Sequence, residues 1–104
     1  MKELESTVLM RMVGDIDFAT INQVMAAVER VDLDRITLLV IDLQDVEFLD
    51  LAGLHAVLRV NDQCERHDVR CTVLSPRGPA RRVFTLTRAH QELDFVDAGV
   101  GAAR

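Results

Sequence analysis

Apolar and polar residues alternate with two different periods along this chain, and the periods mark its elements. A β-rich run predicts a strand over 7–13 that stops at a turn signal, Gly14 and Asp15. From about Phe18, apolar residues recur three and four positions apart, which predicts an amphipathic helix. The residues of its apolar face are Ile21, Val24, Met25, Val28 and Val31.

The middle of the chain predicts a central strand followed by a second helix. The run ITLLVIDL, at 36–43, is apolar almost throughout, which is typical of a strand covered on both faces in a parallel sheet with helices on each side. From about Leu51 the helical spacing returns. The predicted inner face of this second helix consists of Leu51, Leu54, Val57, Leu58, Asn61 and Cys64.

The last third continues the same order of elements. A strand is predicted over 69–75, and Pro76, Gly78 and Pro79 then break the chain and start a third helix. Its predicted inner face consists of Ala80, Val83, Phe84 and Thr87. A short edge strand is predicted over 94–98, before a tail at 98–104 that we expect to fray.

This order predicts a single α/β domain over 1–104, with its core at about 7–97. We expect a mixed β-sheet of about four strands, three to four helices and right-handed crossovers. Only some thirteen residues precede Gly14, so the first strand is expected to leave a sheet edge exposed, where a homodimer could form by strand addition.

Composition narrows the classes of partner. The chain has four Phe, no Trp or Tyr and a formal charge of −5, so it lacks stacking platforms for bases and repels phosphate backbones. Nucleic acid is therefore not expected as a partner. No apolar run reaches the roughly 18 residues of a membrane span, and we expect a soluble cytoplasmic protein without membrane insertion. Cys64 and Cys71 are expected to be reduced and buried.

The motifs of common enzymes are missing. No phosphate-binding glycine loop occurs, and Ser75 and the cysteines have no histidine at a recognisable spacing. Asp42, Asp45, Glu47 and Asp50 are expected to cluster after the central strand, as solvated loop carboxylates and one helix cap. A receiver-type phosphorylation site would also need a late lysine, and none follows Lys2.

We therefore predict no catalytic residue, metal or cofactor. A metal enzyme built on Asp42, Asp45 and Asp50 stays an outside alternative, which Mg²⁺-dependent thermal stabilisation would indicate. The arginines around the third helix are expected to serve solubility, although they could bind an acidic partner or a phosphate.

The stretch VEFLDLAGLHAVL, at 46–58, holds the candidate binding residues. Asp50 stands where a helix N-cap is wanted, and its carboxylate can accept hydrogen bonds from the free N–H groups of the first turn. Ala52 and Gly53 keep that turn small enough for a partner's backbone to approach. Leu51 is an unexpected apolar residue beside them.

Two motifs resemble those of a known family. GDID, at 14–17, and LLVIDLQDVEFLDLAGLHAVL, at 38–58, resemble the STAS domains of bacterial anti-sigma factor antagonists, and the match covers roughly 8–96. The family pattern is a G-x-[IL]-D turn, an apolar strand and then D-L-x-x-V-x-F-[ML]-D-S-S-G-L. The resemblance implies binding to an anti-sigma factor that is also a serine kinase, which phosphorylates the serine before the glycine and so breaks the complex.

The resemblance assigns roles by position. Asp17 matches the turn aspartate, Asp50 the aspartate before the serines and Gly53 the glycine, whereas Ala52 occupies the phosphoacceptor position and Leu51 replaces the neighbouring serine. The predicted partner-binding residues are Asp17, Asp50, Leu51, Ala52, Gly53 and His55.

Alanine has no hydroxyl to phosphorylate, so the resemblance predicts an antagonist without the usual switch, unless Thr20, Thr37 or Ser75 has taken over that role. The alternative is a STAS scaffold or accessory subunit of a lipid-transport or stress-sensing complex.

Overall fold

The computed structural model of this protein describes residues 6–96, in which four strands alternate with helices. The elements are β1 (Thr7–Ile16), α1 (Ile21–Glu29), a 3₁₀ turn (Leu33–Arg35), β2 (Leu38–Leu49), α2 (Leu51–Arg66), β3 (Arg70–Leu74), α3 (Gly78–Leu86), α4 (Ala89–Glu92) and β4 (Asp94–Val96). The predicted end of the last strand at Ala98 and the predicted frayed tail at 98–104 lie outside the described residues.

The strands form one sheet in the order β1-β2-β3-β4, and each neighbouring pair is parallel. The predicted α/β class and the four strands are confirmed. All pairings among residues 6–96 are parallel, so this part of the sheet is not mixed. Because β1 pairs only with β2 within the described chain, it is an edge strand.

The core lies on one face of the sheet. Leu39, Ile41 and Leu43 of β2 have no exposed surface, whereas Leu38 and Val40, which point the other way, stay partly exposed. The expectation that helices cover both faces of the central strand is therefore wrong. Its apolar run has another cause: neighbouring strands half-bury the second face of a central strand and make it favourable for apolar side chains.

The first two strands are longer than predicted. β1 does not stop before Gly14 but continues to Ile16, because a glycine adopts the observed φ of +86° at no steric cost. β2 continues past its predicted end at Leu43 to Leu49. The β1–β2 register shifts between Arg11 and Val13 and again between Gly14 and Asp15. At each shift β2 advances one residue more than β1, so the ladder continues through these irregularities.

The helices follow the predicted faces with two corrections. α1 begins at Ile21 and not at Phe18, because residues 17–20 form a turn in which Thr20 N–H donates to the Asp17 carbonyl over 3.0 Å. Leu51 does not belong to the inner face of α2, since its side chain is 59% exposed. It is the first helical residue, so no preceding turn lies beneath its side chain. Val60, which is 1% exposed, packs in the core instead.

The remaining packing agrees with the pattern. Val28 of α1 and Ala80 and Phe84 of α3 are buried, and both cysteines are free and buried as predicted. None of the helices in the described part of the chain is both long and apolar enough to cross a membrane.

Candidate functional site

Asp50 is the N-cap of α2, as predicted. Its backbone is extended, with φ −100° and ψ −172°, and its Oδ1 accepts a hydrogen bond from Gly53 N–H over 3.0 Å. The Asp50 carbonyl accepts from Leu54 N–H over 2.9 Å and begins the helical ladder. The negative carboxylate also lies at the positive end of the helix dipole, which stabilises the helix start.

The second oxygen of the same carboxylate binds a different part of the chain. Asp50 Oδ2 accepts from the backbone N–H of Phe18 over 3.1 Å, and Asp50 N–H donates to the Ile16 carbonyl over 3.2 Å. One side chain therefore fixes the turn after β1 against the first turn of α2. Sequence reasoning recognised the cap but not this second contact, because nothing in the local pattern links residues 32 positions apart.

The turn at 17–20 is held by its own aspartate. Asp17 Oδ1 accepts from Ala19 N–H over 2.9 Å and from Thr20 N–H over 3.1 Å, and the Thr20 hydroxyl donates to the Asp15 carbonyl over 3.0 Å. The structure thus gives Asp17 a role in shaping the turn. With these contacts the backbone on both sides of Phe18 is fixed, while the Phe18 ring is 83% exposed.

Gly53 makes the close contact between the two segments. A Cβ at this position would lie 2.7 Å from the Ile16 carbonyl oxygen and 3.0 Å from the Leu49 side chain. Real Cβ atoms do not approach a backbone oxygen so closely, so a larger residue would push β1 and α2 apart. The approach that this glycine permits is therefore made by the chain's own β1.

Five residues form the outward side of this region, and we call them the turn–helix surface: Asp17, Phe18, Leu51, Ala52 and His55. Leu51 and His55 are exposed, and Ala52 is partly exposed in the first turn of α2. Phe18 was missed by the sequence analysis, which assigned it to the start of α1. The available signal was its position directly after the turn aspartate and before the apolar period of the helix begins.

The predicted cluster of carboxylates after the central strand does not exist. Asp42, Asp45 and Glu47 lie within β2, and Asp45 accepts a hydrogen bond from Arg11 Nε over 3.0 Å. This contact and the charge of Asp45 raise the pKa of Arg11 above its usual value. Asp42 accepts from Gln44 N–H over 3.0 Å, and Asp50 is engaged elsewhere. Among residues 6–96, no three side chains of the metal-binding types converge on one point.

The hydroxyls proposed as alternative phosphorylation sites all contact the backbone. Thr20 donates to the Asp15 carbonyl, Thr37 contacts Ser6, and Ser75 donates to the Pro76 carbonyl over 3.0 Å. Of the three, Thr20 belongs to the turn beside Asp17, where its hydroxyl is engaged in holding that turn. The first turn of α2 carries no hydroxyl group.

Comparison with known proteins identifies the family. The family described as STAS domain matches residues 1–102, so this chain belongs to the STAS domain family. No curated protein matches the chain in sequence.

Solved structures share the fold. An anti-sigma factor antagonist from Mycobacterium paratuberculosis superposes with a TM-score of 0.79 and 28% identity, over 92% of this chain and 81% of that one. The unphosphorylated anti-sigma factor antagonist SpoIIAA gives a TM-score of 0.68 at 22% identity, over 99% and 90%. A sulfate transporter family protein from Wolinella succinogenes gives 0.64 at 14% identity, over 89% and 80%.

Proposed function

We propose that this STAS domain is a non-catalytic, cytoplasmic binding protein of the anti-sigma factor antagonist type. It binds an anti-sigma factor kinase through the turn–helix surface. Support comes from the family membership, from the 28% identity to a solved anti-sigma factor antagonist and from a surface whose backbone is fixed before any partner arrives. A fixed backbone reduces the entropy lost on binding.

The observation that carries the proposal is the partly exposed methyl group of Ala52 in the first turn of α2, two residues after the cap. In the family pattern this position holds the serine that the kinase phosphorylates. A phosphate there would add about −1.5 to −2 charges beside Asp50. These charges would repel an acidic partner surface, and burying them against an apolar one would cost desolvation energy. With alanine the complex has no such release, so the domain is a constitutive antagonist.

The apolar side chains of the turn–helix surface indicate the chemistry of the partner. Phe18 and Leu51, which are 83% and 59% exposed, flank Asp50 because one donates to its carboxylate and the other follows it in sequence. Aromatic and aliphatic anchors of this kind contribute most when they enter an apolar pocket. The partner is therefore expected to present apolar pockets for Phe18 and Leu51. Beside these pockets it should carry a group that does not repel the Asp50 carboxylate.

The second candidate is a STAS scaffold or accessory subunit of a transport or stress-sensing complex. The exposure of Leu51 favours it, because an apolar side chain in place of a serine suits a long-lived interface better than a reversible one. Both candidates use the same surface and differ in the partner.

The test is a titration calorimetry series with each anti-sigma factor kinase encoded in the same genome. The chain should bind one of them, and Ala52→Glu should abolish that binding while Ala52→Ser, without ATP, keeps it. Ala52→Glu is expected to fold, because an acidic side chain in the first turn of a helix is favoured by the dipole. If no kinase binds and a transporter subunit does, the second candidate replaces the first.

A further inference from the structure

The free edge of β1 is a second surface of this domain, separate from the turn–helix surface. Within the described residues β1 pairs with β2 on one side only, so the backbone N–H and C=O groups of its other side have no strand to pair with. Native sheets protect such an edge with charges, prolines or short strands. The part of β1 before Gly14, residues 7–13, contains no proline and a single charged residue, Arg11, which is engaged with Asp45 of β2.

The edge is bordered by a partly apolar groove between β1 and α1. This groove has a volume of about 380 Å³, and its apolar lining includes Met10 and Met12 on the strand side and Val24 and Ala27 on the helix side. Its polar lining consists of Arg11, Asp15, Thr20 and Gln23. An added strand would pair with β1 and place alternate side chains over this groove. The edge and the groove together therefore suit an extended segment with apolar residues at every second position, which is the pattern of β1 itself.

We propose that this edge is a homodimer interface in which β1 pairs antiparallel with β1 of a second copy, with Met10 opposite Met10 of that copy. The register follows from the strand. Gly14, with a φ of +86°, is the first residue of β1 with a positive φ, and residue 10 is the centre of the stretch 7–13 that precedes it. An isologous pair that uses the whole stretch therefore has its two-fold axis at Met10.

This register places compatible side chains opposite one another. Val8 faces Met12 on the groove side, and Leu9 faces Arg11 on the other side, where the arginine's aliphatic stem can cover it. Sliding one strand past the other by two residues would move the two-fold axis one residue toward the GDID turn, from Met10 to Arg11. Arg11 would then lie opposite Arg11 of the second copy, and like charges directly opposite are destabilising. Charge thus selects the centred register over that neighbour.

Two consequences distinguish this dimer. The two β1 strands would lie at the centre of a continuous eight-stranded sheet. Because the copies run antiparallel and each β1 leads into the GDID turn, the two turn–helix surfaces would lie beyond opposite ends of these central strands. Each copy carries a formal charge of −5, so association should strengthen as salt screens the repulsion between copies.

The experiment combines mass measurement with cross-linking of the 104-residue chain alone. Sedimentation equilibrium should give twice the 11.7 kDa of one chain at high concentration, with a dissociation constant that falls when salt is added. Paired residues in antiparallel strands have Cα atoms about 4.5–5.5 Å apart, which a disulfide can span. Met10→Cys should therefore give a disulfide-linked dimer on mild oxidation.

Met12→Cys is the matched control. In the centred register the two Met12 residues lie four positions apart along the sheet, about 13 Å, which is too far for a disulfide. Met10→Arg should raise the dissociation constant by about tenfold or more, through like charges on the two-fold axis, while circular dichroism checks that it folds.

A monomer at every concentration and salt would overturn the proposal. So would a dimer in which Met12→Cys cross-links as well as Met10→Cys, or one that Met10→Arg leaves intact. None of these measurements involves a partner protein, so failure of the dimer and failure of the proposed antagonist function are separate results.

Discussion

The carboxylate of Asp50 accepts a hydrogen bond from the backbone N–H of Phe18 over 3.1 Å, across 32 positions of sequence. Because its other oxygen caps α2 through Gly53 N–H, this side chain joins two chain segments that both belong to the candidate site. The geometry of the turn–helix surface therefore depends on a residue that is itself only partly exposed. Three predictions test the stability, packing and binding that this arrangement implies, and two more concern the buried cysteines and Ala52.

Removing the Asp50 carboxylate should destabilise the fold. Asp50→Ala loses the N-cap and the contact to Phe18, and loss of an N-cap alone costs about 0.5–2 kcal/mol. Asp50→Asn should fall between the two proteins, because the amide keeps one acceptor oxygen but turns an NH₂ group toward the other N–H. Urea unfolding monitored by circular dichroism measures both. An Asp50→Ala protein as stable as the wild type would contradict the double contact.

Adding a methyl group at Gly53 should also destabilise the protein. Helix propensity alone would make Gly53→Ala stabilising by up to ~1 kcal/mol. The Ile16 carbonyl oxygen lies 2.7 Å from the new Cβ, so overlap reverses the sign, and we expect a net loss of about 1–3 kcal/mol. The same urea experiment decides between the stabilising effect of helix propensity and the destabilising effect of the overlap. A stabilised Gly53→Ala protein would mean that β1 and α2 can separate freely.

The exposed ring of Phe18 should matter for binding and not for stability. Phe18→Ala removes little buried surface, so the free energy of unfolding should change by less than about 0.5 kcal/mol. Its affinity for the partner identified by titration should fall about tenfold or more if the ring is an anchor. Leu86→Ala is the matched control, because Leu86 of α3 is 81% exposed but lies outside the turn–helix surface. Equal affinities for both variants would remove Phe18 from the interface.

The cysteines should resist alkylation in the folded protein. The hydrogen bond to Cys64 and burial raise the pKa of the Cys71 thiol, so its reactive thiolate appears only at higher pH than in the unfolded chain. Cys64 is fully buried in α2, which keeps reagent from its sulfur. At about pH 8 a thiol reagent should label neither cysteine in buffer and both in concentrated urea, as counted by mass spectrometry. Rapid labelling in buffer would contradict the burial of this pair.

The elements could be predicted from sequence wherever one face packs against the core. The periods of α1, α3 and most of α2 are set by burial, so Val28, Val57 and Phe84 were placed correctly. The same reasoning failed at the ends of elements. Gly14 signals a turn locally, yet pairing with β2 keeps its positive φ within a strand, and only the partner strand could reveal this.

The site was predicted in part for the same reason. A helix cap is a local property, so Asp50 could be identified from its neighbours along the chain. The contacts that depend on the fold could not: the bond from Phe18 to Asp50 and the approach of Ile16 to Gly53 join residues far apart in sequence. Leu51 was placed on the inner face, although α2 begins where predicted, because a period does not show that the first helical residue has no preceding turn beneath its side chain.

The central claim is that Ala52 removes a phosphorylation switch from an otherwise intact binding surface, and restoring the serine tests it most directly. The anti-sigma factor kinase that the calorimetry series identifies should be titrated with wild type and with Ala52→Ser, each with and without ATP. We expect equal affinities without ATP, and with ATP a loss of binding and one added phosphate for Ala52→Ser alone. Release of the wild-type chain by ATP, or an Ala52→Ser protein that the bound kinase neither modifies nor releases, would contradict the account.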